Sequence, residues 1–437
     1  MSSSPTRRER IHLDGRTLEG GGQLVRIALA LSTITGQPIT IDHIRGNRTG
    51  KKGLKASHLA AIQYLADVSG SAVSGAEVGS SSLTYQPPPD AETSVRQNQE
   101  INIHLPTAGS ISLVFQALYP YLLHTASYLS DEEPRPIRVT ITGGTNVSFS
   151  PSYDYISQVL MPNFARVGLP LLSVHLEKRG WATGPFSLGK VTFVIHPMDI
   201  NQESPYGFPC VDLDRYRRGK ITQIDVTVLA PDTLLGGSDQ HTDRKKGNSH
   251  VSNDTYQHTT IRQLIEFETM RMLRTRLRRI HSSIVDDQDE IVPINLRASE
   301  RTHHRSHIYI LIVAHTSNGF KLGRDALFGA HGEGSQKKGG GRRGRQTDDK
   351  SIAMELVERC VDDFVDELYD PGRRSTSEGR RPCVDEYMRD QLVIFEALGK
   401  STSKDEADVK GKEDEAYYSL HTQTARWVCE QMLGVEW

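Results

Sequence analysis

The sequence predicts an α/β protein assembled from repeated β-α-β-α-β-β units, with a smaller α/β unit inserted late in the chain. Three observations carry this. Strand-like and helix-like runs alternate in two rounds from residue 10 to about 197. The rhythm breaks over 199–317, where new strands flank one long helical run. Four stretches, 233–254, 329–350, 370–382 and 400–415, are polar and are expected to be flexible loops.

The elements follow in order. Residues 10–14 and 38–44 read as strands; 22–35 and 55–69 carry apolar positions at helical spacing; short strands follow near 72–85. The second round reads as a strand at INIHL, a helix at AGSISLVFQALYPYLLHTA, a strand at IRVTITGG, a helix at YDYISQVLMPNFARVG and strands to about 197. Within 199–317, ITQIDVTVLA and HIYILIVAHT read as strands, and HTTIRQLIEFETMRMLRTRLRRI as a helix. From 318 the first architecture is expected to resume, with helices at 351–369 and 384–399 and a strand running into a helix over 417–433. The core is thus expected in 1–198 plus 318–437. Hydrophobic residues make up only 36% of the 437. The polar stretches account for that shortfall, and the rest retains enough apolar residues to bury a core.

Composition excludes several classes. A net charge of −2 gives no global basic field, so any nucleic-acid site must be a local patch. Cys210, Cys360, Cys383 and Cys429 have no metal-like spacing and suggest a reducing compartment. No apolar run approaches the ~20 residues that span a bilayer. The start MSSSPTRRER lacks an apolar signal core. The nucleus, and also the cytoplasm, is the expected location, with no membrane partner.

Residues 13–26, LDGRTLEGGGQLVR, are the most informative segment. Gly20 to Gly22 separate an acid, Glu19, from a helical run, and glycine lets a ligand approach the backbone. A helix start offers free N–H groups to an anion. Gln23 and Arg26 share a helical face beside it. A plain strand-to-helix turn, with the helix closed at Gly36, explains the same residues. The pattern is neither a Walker loop nor a G-x-G-x-x-G fingerprint.

Other positions carry chemistry. His421, in SLHTQTARW, is a candidate nucleophile toward phosphorus, with Thr422 and Thr424 to hold it; a half-exposed histidine at a helix start is the bland reading. Tyr387, Asp390 and Gln391 share a helical face that lines a pocket or caps a neighbour. Gln116 sits among apolar residues and needs a ligand or a backbone group as partner. Arg45 and Arg48, with Lys51, Lys52 and Lys55, suit phosphate contacts or a solvated loop. The tract 337–345, KKGGGRRGR, suits nonspecific RNA contact but reads better as a disordered loop. Glu19 is the best lone ligand for a divalent ion serving nucleotide phosphates.

These signals coincide in one family. LDGRTLEGGGQLVRIALALS resembles the opening signature of RNA 3′-terminal phosphate cyclases. So do IRGNR before a G-L-x-x-x-H-L helix, TAGSISLVFQALYP, GGTNVSFSPSYDY, LGRDAL, DEYMRDQLVIF and SLHTQT, in the family's order. The resemblance implies three β-α-β-α-β-β units with a small α/β domain inserted in the third. It implies ATP-dependent conversion of an RNA 3′-phosphate to a 2′,3′-cyclic phosphate, aided by Mg or Mn. By the same resemblance His421 is the adenylylated histidine, and Glu19 is a metal- and nucleotide-site carboxylate. Gln23, Gln116, Tyr387, Met388, Arg389, Asp390 and Gln391 contact ATP. Arg26, Arg45, Arg48 and His58 face the phosphates and the RNA end. The chain departs from many relatives at Lys52, at Ser57 and over 179–190. A noncatalytic relative acting in ribosome assembly is the alternative, and an enolpyruvyl-type transferase is a more distant one.

Overall fold

The computed structural model describes residues 8–88, 100–128, 135–235, 259–285, 291–329, 349–369, 381–400 and 415–437. The four expected loops, and the basic tract at 337–345, fall almost wholly outside these residues.

The first unit runs β1 (Ile11–Asp14), α1 (Gly22–Thr35), β2 (Ile39–Asp42), α2 (Ala56–Ser69), β3 (Ala72–Ser74) and β4 (Leu83–Gln86). Its sheet has the order β1-β2-β4-β3. β1 and β2 pair in parallel, which requires the α1 crossover, while β4 is antiparallel to both of its neighbours. The second unit runs β5 (Glu100–His104), α3 (Ile111–Tyr128), β6 (Ile137–Gly143), a broken helix, β7 (Leu172–Lys178) and β8 (Gly189–Ile195). That helix comprises α4 (Tyr153–Tyr155), a π turn (Ile156–Leu160) and α5 (Met161–Arg166). The sheet order β5-β6-β8-β7 repeats that of the first unit, as the sequence rhythm predicts.

α1 is the hub of this core. Leu24, Val25 and every residue from Ile27 to Thr33 are buried. A helix that is apolar all round belongs in an interior, and α1 packs against α2, α3 and the chain's last helix, α9 (Leu420–Leu433). Gly36 closes it in the left-handed conformation at φ 69°.

The third sheet contains β9 (Ile221–Pro231), β10 (Ile294–Thr302), β11 (Tyr309–Thr316) and β12 (Lys321–Leu327), in the order β10-β9-β11-β12. α6 (Ile261–Ile284) crosses between β9 and β10, which are parallel. α7 (Asp349–Leu368) packs beside α6. The expected return to the first architecture at 318 does not occur there. β12 forms a hairpin with β11 and continues the same sheet, and α7 covers it. A hairpin turn at 317–320 looks from sequence like a boundary because both mark a polar break between apolar runs.

Both faces of this sheet are buried at β9 and β11, while the edge strand β10 is largely exposed. Val226, Val228, Ile310 and Ile312 meet α6 and α7, while Leu229, Tyr309, Leu311 and Val313 join the core of the first two units. The period-2 alternation of strand side chains divides them. Gln158 to Thr227 at 3.0 Å, and Asn163 to Lys321 at 2.9 Å, stitch the π turn and α5 to the third sheet.

α8 (Glu386–Leu398) and α9 then return to the core, packing on each other and on α3 and α1. The strand expected at 417 is instead a single 3-10 turn, Glu415–Tyr417. Ser419 caps α9 by accepting from Thr422 N–H, so the chain turns directly into the helix.

Asp385 fixes α8. Fully buried, it accepts from Met388 N–H at 2.9 Å, Gly323 N–H at 2.8 Å and the Tyr155 hydroxyl at 2.6 Å. One carboxylate therefore joins α8, β12 and α4. Asp385→Ala removes the cap and strands a buried hydroxyl and two N–H groups. It should lower the unfolding free energy by about 3 kcal/mol in urea titration; an unchanged midpoint would refute this linkage.

Candidate active site

The site forms where α1 begins. Gly20 takes φ 59°, a left-handed conformation that disfavours side chains. Gly21 and Gly22 are needed for space. A Cβ on Gly21 would overlap Glu19 Oε1, and one on Gly22 would lie 2.7 Å from His58 Nε2 and 2.8 Å from Arg26 Nη1. The three glycines thus let a carboxylate, an imidazole and a guanidinium converge on one helix start, which no side chain caps.

Glu19 is buried. Its Oε2 accepts from Gly21 N–H at 2.9 Å, and its Oε1 is paired with Arg48. Its own N–H donates to Thr424 Oγ1 at 3.1 Å, which ties the glycine turn to α9. His421, in the first turn of α9, turns Nδ1 toward Glu19 Oε2 at 3.7 Å. That nitrogen is buried without a hydrogen-bond partner. Burial holds the His421 pKa below the usual imidazole value, with Arg26 and Arg48 acting in the same sense and Glu19 opposing.

On the other side of α1, Arg26 donates to Gln23 Oε1 at 2.7 Å, and Gln23 Nε2 reaches the Asp390 carbonyl at 3.4 Å. Gln391 bonds the Asp390 carboxyl. Burial pushes the Asp390 pKa up to about 7, against the pull of Gln391 and Arg26. Gln23, Arg26, Gln116, Tyr119, Asp390 and Gln391 line a cleft open to solvent. Both amide atoms of Gln116 and the Tyr119 hydroxyl are buried there without partners. Leaving such groups unpaired costs on the order of 1–3 kcal/mol each, which a polar ligand would recover.

The expected residues separate into groups. Glu19, Gln23, Arg26, Arg48, His58, Gln116, Asp390, Gln391 and His421 gather around the α1 start and its cleft. Tyr387 is displaced along α8, half-exposed, with the Arg324 guanidinium 4.4 Å over its ring. Met388 is fully buried in the core, and Arg389 is buried against Glu396 at 2.6 Å and the Tyr418 ring. Arg45 is spent on the loop: Nη1 donates to the Lys51 carbonyl at 2.6 Å, and its backbone N–H donates to Gly20. Thr424 holds Glu19 rather than His421. Tyr119 was missed, although it lies three residues from Gln116 on the same helical face.

A protein-held cation fits this geometry poorly. Both Glu19 oxygens are engaged, a guanidinium occupies one of them, and no group of three metal-ligating side chains occurs among the described residues.

Comparison with known proteins bears on what this site does. The family model for RNA 3′-terminal phosphate cyclase matches residues 17–437. The chain is 28% identical over 429 residues to the RNA 3′-terminal phosphate cyclase of Drosophila melanogaster, covering 98% of this chain and 91% of that protein. It is 27% identical over 422 residues to a probable RNA 3′-terminal phosphate cyclase of Dictyostelium discoideum, covering 97% and 76% respectively. It is 40% identical over 170 residues to the RNA 3′-terminal phosphate cyclase of Pyrococcus furiosus, covering 39% and 45%.

His58 offers a direct check on the electrostatics. Its Nδ1 accepts from Lys55 N–H at 3.2 Å, so the neutral ring carries its proton on Nε2, facing Gly22. Burial, helped by Arg26, Lys55 and Arg45, presses its pKa down to about 3. An NMR titration should find His58 neutral throughout pH 5–8. A midpoint near the usual 6.5 would show that the site is wetter than described.

Proposed function

The chain belongs to the RNA 3′-terminal phosphate cyclase family, and from that premise we propose that it uses ATP to convert an RNA 3′-phosphate into a 2′,3′-cyclic phosphate. The observation that carries the reading is the His421–Glu19 pair at the uncapped start of α1, next to a cleft with orphaned polar groups.

Burial of Nδ1 leaves Nε2 as the His421 nitrogen free to attack. With a proton on Nδ1, the ring offers the Nε2 lone pair to the α-phosphorus of ATP, a P–N bond forms and pyrophosphate departs. The ring becomes cationic as it attacks, and Glu19 stabilises that charge. The RNA 3′-phosphate then displaces His421 and takes the AMP as a mixed anhydride. The vicinal 2′-hydroxyl attacks the 3′-phosphorus, loses its proton and expels AMP, which closes the ring. This second nucleophile is already next to its target, so positioning supplies much of the rate. It also explains why the end must be RNA.

The residues divide the labour. Gln116, Gln23, Asp390 and Gln391 line the cleft for the nucleotide, and Tyr387 is not among its lining residues. Arg26, Arg48 and the free N–H groups of α1 neutralise phosphate charge. A divalent ion, Mg or Mn, would be held by the triphosphate rather than by a protein cage, and would supply further charge neutralisation there. The His421–Glu19 pair beside the orphaned polar groups of the cleft supports the catalytic reading over a noncatalytic role in ribosome assembly.

Incubation with α-labelled ATP should leave label on the protein, and His421→Ala should abolish it with the fold retained by circular dichroism. Persistent label on that variant would remove His421 as nucleophile. His421 must be neutral to attack, and burial lowers its pKa from the usual imidazole value. The midpoint of the acid-side decline in labelling should therefore lie below the usual imidazole value. A decline centred above 6.5 would contradict the assignment.

A further inference from the structure

One feature of the inserted unit lies outside this site. The second half of α6, from residue 269 to 284, contains five arginines and no acid, in a chain whose net charge is −2. At 3.6 residues per turn, Phe267, Arg271, Arg274 and Arg278 fall on one face. That face points away from the interior, because Leu264, Leu273, Leu277 and Ile280 are buried beneath the helix. Phe267 is 60% exposed at the head of the stripe. Arg271 is paired with Glu268, and Arg276, on the flank, with Asp362 of α7. Arg274 and Arg278 are exposed and have no acidic partner among the described residues.

We propose that the Phe267–Arg271–Arg274–Arg278 face of α6 binds single-stranded RNA upstream of the 3′ end, the arginines on successive phosphates and the phenyl ring under a base. The proposal rests on the cyclase reading for its RNA partner, and charge complementarity argues the rest. Neighbouring arginines on the stripe have Cβ atoms about 5–6 Å apart, and the stripe extends roughly 16 Å along the helix. An aromatic ring beside a run of cations is the combination that holds single strands without reading their sequence. Counterion release from such contacts makes binding depend steeply on salt.

The test compares two 3′-phosphorylated probes, an oligouridylate of about 20 nucleotides and a dinucleotide, over a range of salt concentrations. Arg274→Gln with Arg278→Gln should weaken binding of the long RNA about five- to tenfold. It should also reduce the magnitude of the log–log salt slope by about 1.4, or roughly 0.7 for each lost phosphate contact. Binding of the dinucleotide and labelling by ATP should not change. Replacing both arginines by lysine should restore most of the slope, which a packing role would not predict. Phe267→Ala should weaken the long RNA several-fold and leave the slope intact. Unchanged affinity and slope for the long RNA in the doubly substituted protein would overturn the proposal. So would an acidic peptide that binds the stripe while RNA binding is indifferent to it. Failure of the unsubstituted protein to take label from ATP would instead count against the cyclase reading, and the salt slope would still decide the role of α6.

Discussion

The structure depends on how closely other groups can approach the start of α1. That helix is buried on every side, so its N-terminus is the one part of it that reaches the site. The backbone at Gly20 to Gly22 carries no side chains, and Glu19, His58 and Arg26 occupy the space that Cβ atoms would take. Glu19 in turn fixes two distant parts of the chain. Its N–H holds Thr424 and its carboxylate faces His421, so α9 is seated on the turn that α1 grows from. A larger residue at Gly21 would disturb Glu19, and with it the seat of the proposed nucleophile.

The charges around this point keep one another in their useful states. Glu19 remains buried because Arg48 and the Gly21 N–H compensate it. Burial, with Arg26 and Arg48, pushes the His421 pKa down, while Glu19 opposes that shift from 3.7 Å away. His58 is neutral for the same reasons and offers a fixed N–H rather than a charge. Asp390, across the cleft, titrates near neutrality because its burial outweighs the pull of Arg26. The arrangement is attractive to phosphate on the α1 side and leaves the Gln116 side polar and uncharged.

The inserted unit is joined to the rest by more than a linker. Its sheet buries one face under α6 and α7 and the other against α5 and the core, and Asp385 links β12 to the helix that carries Asp390. Movement of the insert would therefore be felt at one wall of the cleft. The outer face of α6 is free of these packing duties, so its arginines can serve a ligand.

Much of this was legible in the sequence. The two repeated units, the closure of α1 at Gly36 and the helical face of Asp390 and Gln391 follow from local periodicity and glycine chemistry, which neighbouring residues determine. The motif order was enough to suggest the family. The sequence misplaced the end of the insert and a strand at 417, because a hairpin turn and a helix cap look alike as polar breaks. It also grouped Met388 and Arg389 with the cleft, although helix rotation turns one into the core and the other onto Glu396. The sequence by itself therefore determined which elements form and which residue types could do the chemistry. Only the tertiary structure decided that Glu19 meets His421 from the far end of the chain, that Arg45 is used up by its own loop and that Gln116 and Tyr119 lack partners. Those outcomes depend on long-range packing and on the competition for each polar atom, and no local pattern encodes either.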